Sequence, residues 1–124
     1  MDPYLIEPAR NSPLIHLNPD GVMRIKGRSI HENVAEFYQS AFDWTEAYLL
    51  DPQDVTCVDI QLEYFNSASA KYIIQLLQKF RKVLFFDKKF IVNWYYEEGD
   101  EDILERGEYF SSVLDIPFNF IEVE

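Results

Sequence analysis

One cysteine in 124 residues excludes an internal disulfide, and Cys57 has no Cys or His companions at the spacing of a zinc site or redox pair. A reducing cytoplasm is the expected compartment. Cations are scarce as well: 11 Lys and Arg stand against 22 Asp and Glu, a net charge of −11. That is the wrong sign for neutralising phosphates, which argues against nucleic acid and anionic membrane as partners. The four glycines build neither a phosphate-cradling loop nor a Gly-x-Ser-x-Gly elbow. With two histidines, His16 in a first strand and His31 at a first helical turn, no catalytic constellation forms. The chain reads as a non-enzyme without a metal or cofactor. No run approaches the ~18 apolar residues of a membrane helix. The opening Met1-Asp2-Pro3-Tyr4-Leu5-Ile6-Glu7-Pro8 has neither a basic n-region nor an apolar h-region, so neither export nor membrane spanning is expected.

What is present is ordinary globular material, 48% hydrophobic and 27% charged, enough for one domain over residues 1–124. At this length folding buries somewhat under ~70% of the unfolded surface, and the core needs no staple. Residues 1–12, with Pro3, Pro8, Asn11 and Ser12, lack periodicity and read as a loosely ordered arm. Leu14–Leu17 and Val22–Gly27 flank Asn18-Pro19-Asp20-Gly21, a β-hairpin signal, because Pro presets the first turn torsion and Gly accepts positive φ.

Ser29 followed by Glu32 matches a capping box and predicts a helix start. Val34, Phe37, Ala41, Trp44 and Tyr48 then recur at helical spacing until Asp51-Pro52 stops the helix. From Val55 the period becomes two, with Val58, Ile60, Leu62 and Tyr64 on one side and Asp59, Gln61 and Glu63 on the other. One wet strand face favours two layers over a sheet buried on both sides. Residues 68–84 return to helical spacing through Ile73, Leu76, Leu77, Phe80 and Leu84, and Lys79, Arg81 and Lys82 complement the carboxyl end of that helix. Phe90–Tyr96 reads as a strand, Ile103, Gly107, Phe110 and Leu114 mark a third helix, and Pro117–Ile121 a last strand. The order ββαβαβαβ predicts an α/β fold with a mixed sheet of about five strands and helices mainly on one face, its crossovers right-handed and its later strands parallel. That order is compatible with STAS domains, an analogy that carries no function by itself.

The most informative stretch is Tyr64-Phe65-Asn66-Ser67-Ala68-Ser69-Ala70-Lys71, where a strand gives way to a helix. Asn66, Ser67 or Ser69 can each serve as N-cap, a structural role worth about 0.5–2 kcal/mol relative to Ala. The same place suits a switch. A phosphate there would meet free backbone N–H groups and add roughly −1.5 to −2 charges. A second candidate is Glu97-Glu98-Gly99-Asp100-Glu101-Asp102, which with Glu105 and Glu108 places seven carboxylates and only Arg106 between residues 97 and 108. It lacks EF-hand spacing and reads as a solvated helix start or an acidic docking patch rather than a metal site. Asp59 and Glu63 share a strand face but read as its solvated side. A small-molecule module using Tyr64, Phe65, Trp94, Tyr95 and Tyr96 around a pocket is the alternative from another class.

Several of these motifs together resemble the SiaC family of bacterial regulatory phosphoproteins, whose members are STAS-like domains. The resemblance rests on Gly27-Arg28-Ser29 with Glu32-Asn33 and Phe37-Tyr38, on Leu62-Glu63-Tyr64-Phe65-Asn66-Ser67, on Asn93-Trp94-Tyr95-Tyr96 with the acidic run, and on Pro117-Phe118-Asn119. It implies that Ser67 is a phosphoacceptor, switched by a Ser/Thr kinase with a histidine-kinase-like ATPase fold and by a PP2C-type phosphatase. It further implies that the unphosphorylated form binds and activates a diguanylate cyclase, linking the switch to cyclic di-GMP and biofilm regulation. Tyr64, Phe65, Asn66, Ala68, Ser69 and Lys71 are the expected partner-binding neighbours. The acceptor here is Ser where the best-known family pattern has Thr, and Ala68 replaces a hydroxyl residue.

Overall fold

The computed structural model describes residues 1–124. Its elements run β1 (Tyr4–Ile6), β2 (Leu14–Leu17), β3 (Val22–Ser29), α1 (Val34–Tyr48), β4 (Val55–Phe65), α2 (Ser67–Arg81), a 3-10 turn (Lys82–Phe86), β5 (Lys89–Glu97), α3 (Glu101–Leu114) and β6 (Asn119–Val123). The strands form one mixed sheet in chain order, β1 to β6. β1, β2 and β3 are antiparallel neighbours, whereas the pairs β3–β4, β4–β5 and β5–β6 are parallel. The two-layer α/β expectation therefore holds, as do the hairpin and the parallel later strands. The inward row Ile15, Leu17, Met23, Ile25, Val58, Ile60, Leu62, Val92 and Trp94 is buried under the helices. The other face, with Arg24, Lys26, Asp59, Gln61 and Tyr95, stays wet.

The sheet has six strands rather than about five, because part of the expected loose arm adds an edge strand. Tyr4, Leu5 and Ile6 pair with Leu17, His16 and Ile15, and the Trp44 indole Nε1–H donates to the Asp2 carbonyl at 2.8 Å. The four residues between Pro3 and Pro8 are too few to show a period, yet the open edge of β2 supplies the hydrogen bonds that define three of them as strand.

The expected capping box at Ser29 and Glu32 does not form. β3 runs through Ser29, which pairs with Phe65, and the buried Ser29 hydroxyl meets the Tyr38 hydroxyl at 2.7 Å. Helix α1 begins at Val34 after Asn33. Its buried line is Tyr38, Ala41, Thr45 and Tyr48, with Val34, Phe37 and Trp44 packed at the margin. Polar-tipped residues can take the inner line because each hydroxyl has a partner: Thr45 donates to the Ala41 carbonyl at 2.8 Å, and Tyr48 and Thr56 share a 2.8 Å bond.

β4 departs from strict alternation at one residue. Gly27 stands opposite Leu62 and Arg28 opposite Tyr64, so Glu63 is the extra residue of a bulge. Past it the faces exchange. Tyr64, expected inside with Leu62, is 46% exposed, and Phe65 is fully buried in its place. Helix α2 ends at Arg81 and tightens into the 3-10 turn, which turns Val83 inward and Leu84 outward. In α3 the expected four residues Ile103, Gly107, Phe110 and Leu114 are the buried ones. Gly107 lets Trp94 approach: a Cβ there would lie 2.5 Å from the indole Nε1, which donates to the Ile103 carbonyl at 3.0 Å. β6 starts after Pro117, whose missing N–H cannot join a ladder.

Candidate functional site

Bulge, strand end and helix start fall within five residues, and together they aim Ser67 outward. Once Phe65 is anchored in the core, edge-on to Trp94 at 6.1 Å and against Phe110 at 5.5 Å, the next residue must leave the sheet. Asn66 does so in extended conformation and caps α2, its Oδ1 accepting from the Ser69 backbone N–H at 2.8 Å. Its own N–H is bonded to the Ser29 carbonyl. Of the three possible caps, Asn66 is the one used. Ser67, the first helical residue, is exposed and free of that task.

The neighbours named from the sequence divide by burial. Tyr64, Ala68 and Lys71 are exposed beside Ser67, and Asn66 is half-buried. Phe65 and Ser69 are fully buried and so cannot touch a docked protein. Bulge and cap, neither visible as periodicity, put them inside. The Ser69 hydroxyl has no hydrogen-bond partner. The aromatic pocket of the alternative reading is not assembled, because Phe65 and Trp94 belong to the core while Tyr95 lies on the wet face.

Arg106 is the site residue that sequence reasoning left unassigned. It reaches from α3 to the strand end, donating from Nη1 to the Phe65 carbonyl at 2.6 Å, with its guanidinium carbon 3.7 Å from the centre of the Phe65 ring. Its one signal in the sequence was its position as the lone cation of the acidic run. A shallow hollow of about 240 Å³ between α2 and α3 is lined by Ser67, Ala70, Ile74, Asp102, Glu105, Arg106, Tyr109 and Phe110. The rest of the acidic run is helix entry. Asp100 caps α3, accepting from the Ile103 N–H at 3.1 Å, and Glu101 and Asp102 occupy the first turn. No three His, Cys, Asp or Glu side chains converge on a point that would hold a metal ion.

On the wet face Asp59 accepts from Asn93 Nδ2 at 2.8 Å, and Asn93 Oδ1 accepts from Asn119 at 2.9 Å. Asp59 is thus part of a polar ladder across β4, β5 and β6, while Glu63 sits at the bulge. The Cys57 thiol is pushed up from its ordinary value by burial and by the neighbouring Asp59 carboxylate, which disfavours the reactive thiolate. Beyond Ile60 and Trp94 the β4–β5 ladder stops, and a hollow of about 350 Å³ opens beside Gln61, Glu63, Tyr95 and Tyr96.

Comparison with known proteins finds the same fold in solved structures. The crystal structure of apo-SiaC from Pseudomonas aeruginosa superimposes with a TM-score of 0.86, covering 98% of this chain and 99% of that one at 24% identity. SiaC in the crystal structure of the diguanylate cyclase SiaD with its activator SiaC, also from Pseudomonas aeruginosa, gives a TM-score of 0.88 over 97% and 99% of the two chains at 25% identity. An uncharacterised protein of Pseudomonas aeruginosa strain UCBPP-PA14 is 28% identical over 98 residues, 79% of this chain and 78% of that protein. No helix is long and apolar enough to cross a membrane. The model of the SiaC family regulatory phosphoproteins matches residues 6–123, and the chain belongs to that family.

Proposed function

We propose that this chain is a non-enzymatic phosphoswitch acting through Ser67 in the cytoplasm. A Ser/Thr kinase with a histidine-kinase-like ATPase fold transfers the γ-phosphoryl group of ATP to the Ser67 hydroxyl, releasing ADP and the hydroxyl proton. A PP2C-type phosphatase reverses the change by adding water and releasing inorganic phosphate. The unphosphorylated form binds and activates a diguanylate cyclase. The observation that carries this reading is the exposed Ser67 hydroxyl at the first position of α2, left free because Asn66 does the capping. Membership of a phosphoprotein family and the SiaC–SiaD complex support the partner.

The first two N–H groups of α2, at Ser67 and Ala68, have no intrahelical acceptor. They and the helix dipole favour a dianion on Ser67. The same dianion obstructs docking over Tyr64, Ala68 and Lys71, because a solvated phosphate must be stripped of water or brought against partner carboxylates. Mass spectrometry of the protein from its native host tests the site: phosphate mapped to Ser67, and lost when the kinase is deleted, is expected. Ser67 without phosphate even in a strain lacking PP2C-type phosphatases would overturn the proposal.

A further inference from the structure

Like most of the 11 Lys and Arg in this chain, Arg106 is in no ion pair, but it is the one cation whose side chain lines a hollow with Ser67. Asp102 stands one turn before it and Glu105 beside it, and both line the same hollow. The ion pairs of the protein are Lys79–Glu46 and Lys88–Asp54, and Arg106 joins neither. It is instead held over the Phe65 ring with Nη1 on the Phe65 carbonyl. A guanidinium has five N–H donors in a planar fork, and a single bond to protein is formed here. An unpaired, partly buried cation with donors in reserve thus shares a hollow with the exposed hydroxyl of Ser67.

From this we infer that Arg106 is the internal receiver of a phosphoryl group on Ser67. The inference rests on the reading of Ser67 as phosphoacceptor and specifies what the phosphate does once attached. Charge-assisted, paired N–H···O bonds between guanidinium and phosphate turn the dianion toward the open hollow between α2 and α3 while leaving it on the surface that a partner must cover. The start of α2 becomes tied to α3, and the groove bordered by Ala70, Ile74 and Tyr109 is covered. Phosphorylation then changes the shape of the surface as well as its charge. Asp102 and Glu105 make the arrangement selective. Without Arg106 the only charged groups lining the hollow are the Asp102 and Glu105 carboxylates, which push a phosphate outward, so one side chain decides which way the dianion turns.

The test uses the full chain with phosphoserine installed at position 67 during translation, followed by ³¹P NMR through a pH titration. A solvated phosphoserine has its second pKa at about 6; a guanidinium in contact favours the dianion and lowers it. The expected result is a second pKa about half a unit or more below that of the same phosphoprotein carrying Arg106→Gln, with Arg106→Lys, which keeps charge but loses the fork, between the two. Asp102→Asn removes a repelling carboxylate and lowers the value further. Should Arg106→Gln loosen the fold, Arg106→Lys still decides, since loss of the fork with the charge kept must raise the second pKa if the guanidinium holds the phosphate. The same second pKa in the parent phosphoprotein and in the Arg106 variants overturns the inference. Because the phosphate is installed without a kinase, failure to find it on Ser67 in the native host would sink the parent reading and leave this titration standing.

Discussion

Alanine at the three polar positions of the α2 start, Asn66, Ser67 and Ser69, should give three different outcomes. Asn66→Ala removes the 2.8 Å bond to the Ser69 N–H and leaves an orphan donor, a loss of about 1 kcal/mol within the usual 0.5–2 range for caps. For a chain of this size that corresponds to a fall in Tm of about 4 °C. Ser67→Ala deletes an exposed hydroxyl that caps nothing, so the change should stay within about 0.5 kcal/mol of zero. Ser69→Ala deletes a buried hydroxyl with no partner. An unsatisfied buried polar group costs about 1–3 kcal/mol, so its removal should leave stability unchanged or raise it. Asn66→Asp retains an acceptor and should keep most of the parent stability. Urea unfolding followed by circular dichroism measures all four. A Ser67→Ala protein as damaged as Asn66→Ala would show that Ser67 is itself the cap, and the free hydroxyl on which the switch depends would be gone.

Other expectations concern the frame around the site. Gly107→Ala drives a Cβ to 2.5 Å from the Trp94 indole; overpacking at about 1–3 kcal/mol, offset by ~1 kcal/mol of helix propensity, should leave a net loss of up to about 2 kcal/mol by denaturant titration. Tyr38 should make alkaline stability pH-dependent, because burial, partly opposed by its bond to Ser29, pushes its phenol up to about 12 from 10.0. Folding thus favours the protonated phenol. Its contribution is intact below pH ~10 and is lost as pH climbs toward ~12, by up to ~1.4 kcal/mol per unit, and Tyr38→Phe should flatten that slope in unfolding curves measured across the range. Trp44→Phe removes the bond to the Asp2 carbonyl and should speed amide exchange in β1 while leaving β3–β5 protected.

What could be read in advance was whatever repeats along the chain. The 3.6-residue line Ile103, Gly107, Phe110, Leu114 and the alternation Val58, Ile60, Leu62 are enforced by one buried face, so each residue reports the same geometry. Events at one residue were hidden. The Glu63 bulge depends on the register of β3, Ser29 is claimed by Tyr38 from the next helix, and Tyr4–Ile6 become a strand only because β2 has an open edge. Within the site, a local motif marked the Asn66-Ser67 turn without saying which residue caps. Arg106 lies 39 positions from Ser67 along the chain, and only the packing of α3 beside α2 brings it to the turn.

The most direct measurement is a calorimetric titration of the host's diguanylate cyclase with the unphosphorylated chain and with the same chain carrying phosphate on Ser67, each followed by assay of cyclic di-GMP production. The expected result is tight binding and raised cyclase activity for the unphosphorylated form. The phosphorylated form should bind at least about tenfold more weakly, a difference of ~1.4 kcal/mol, with activation lost in proportion. Equal affinity and equal activation by the two forms would contradict the phosphoswitch.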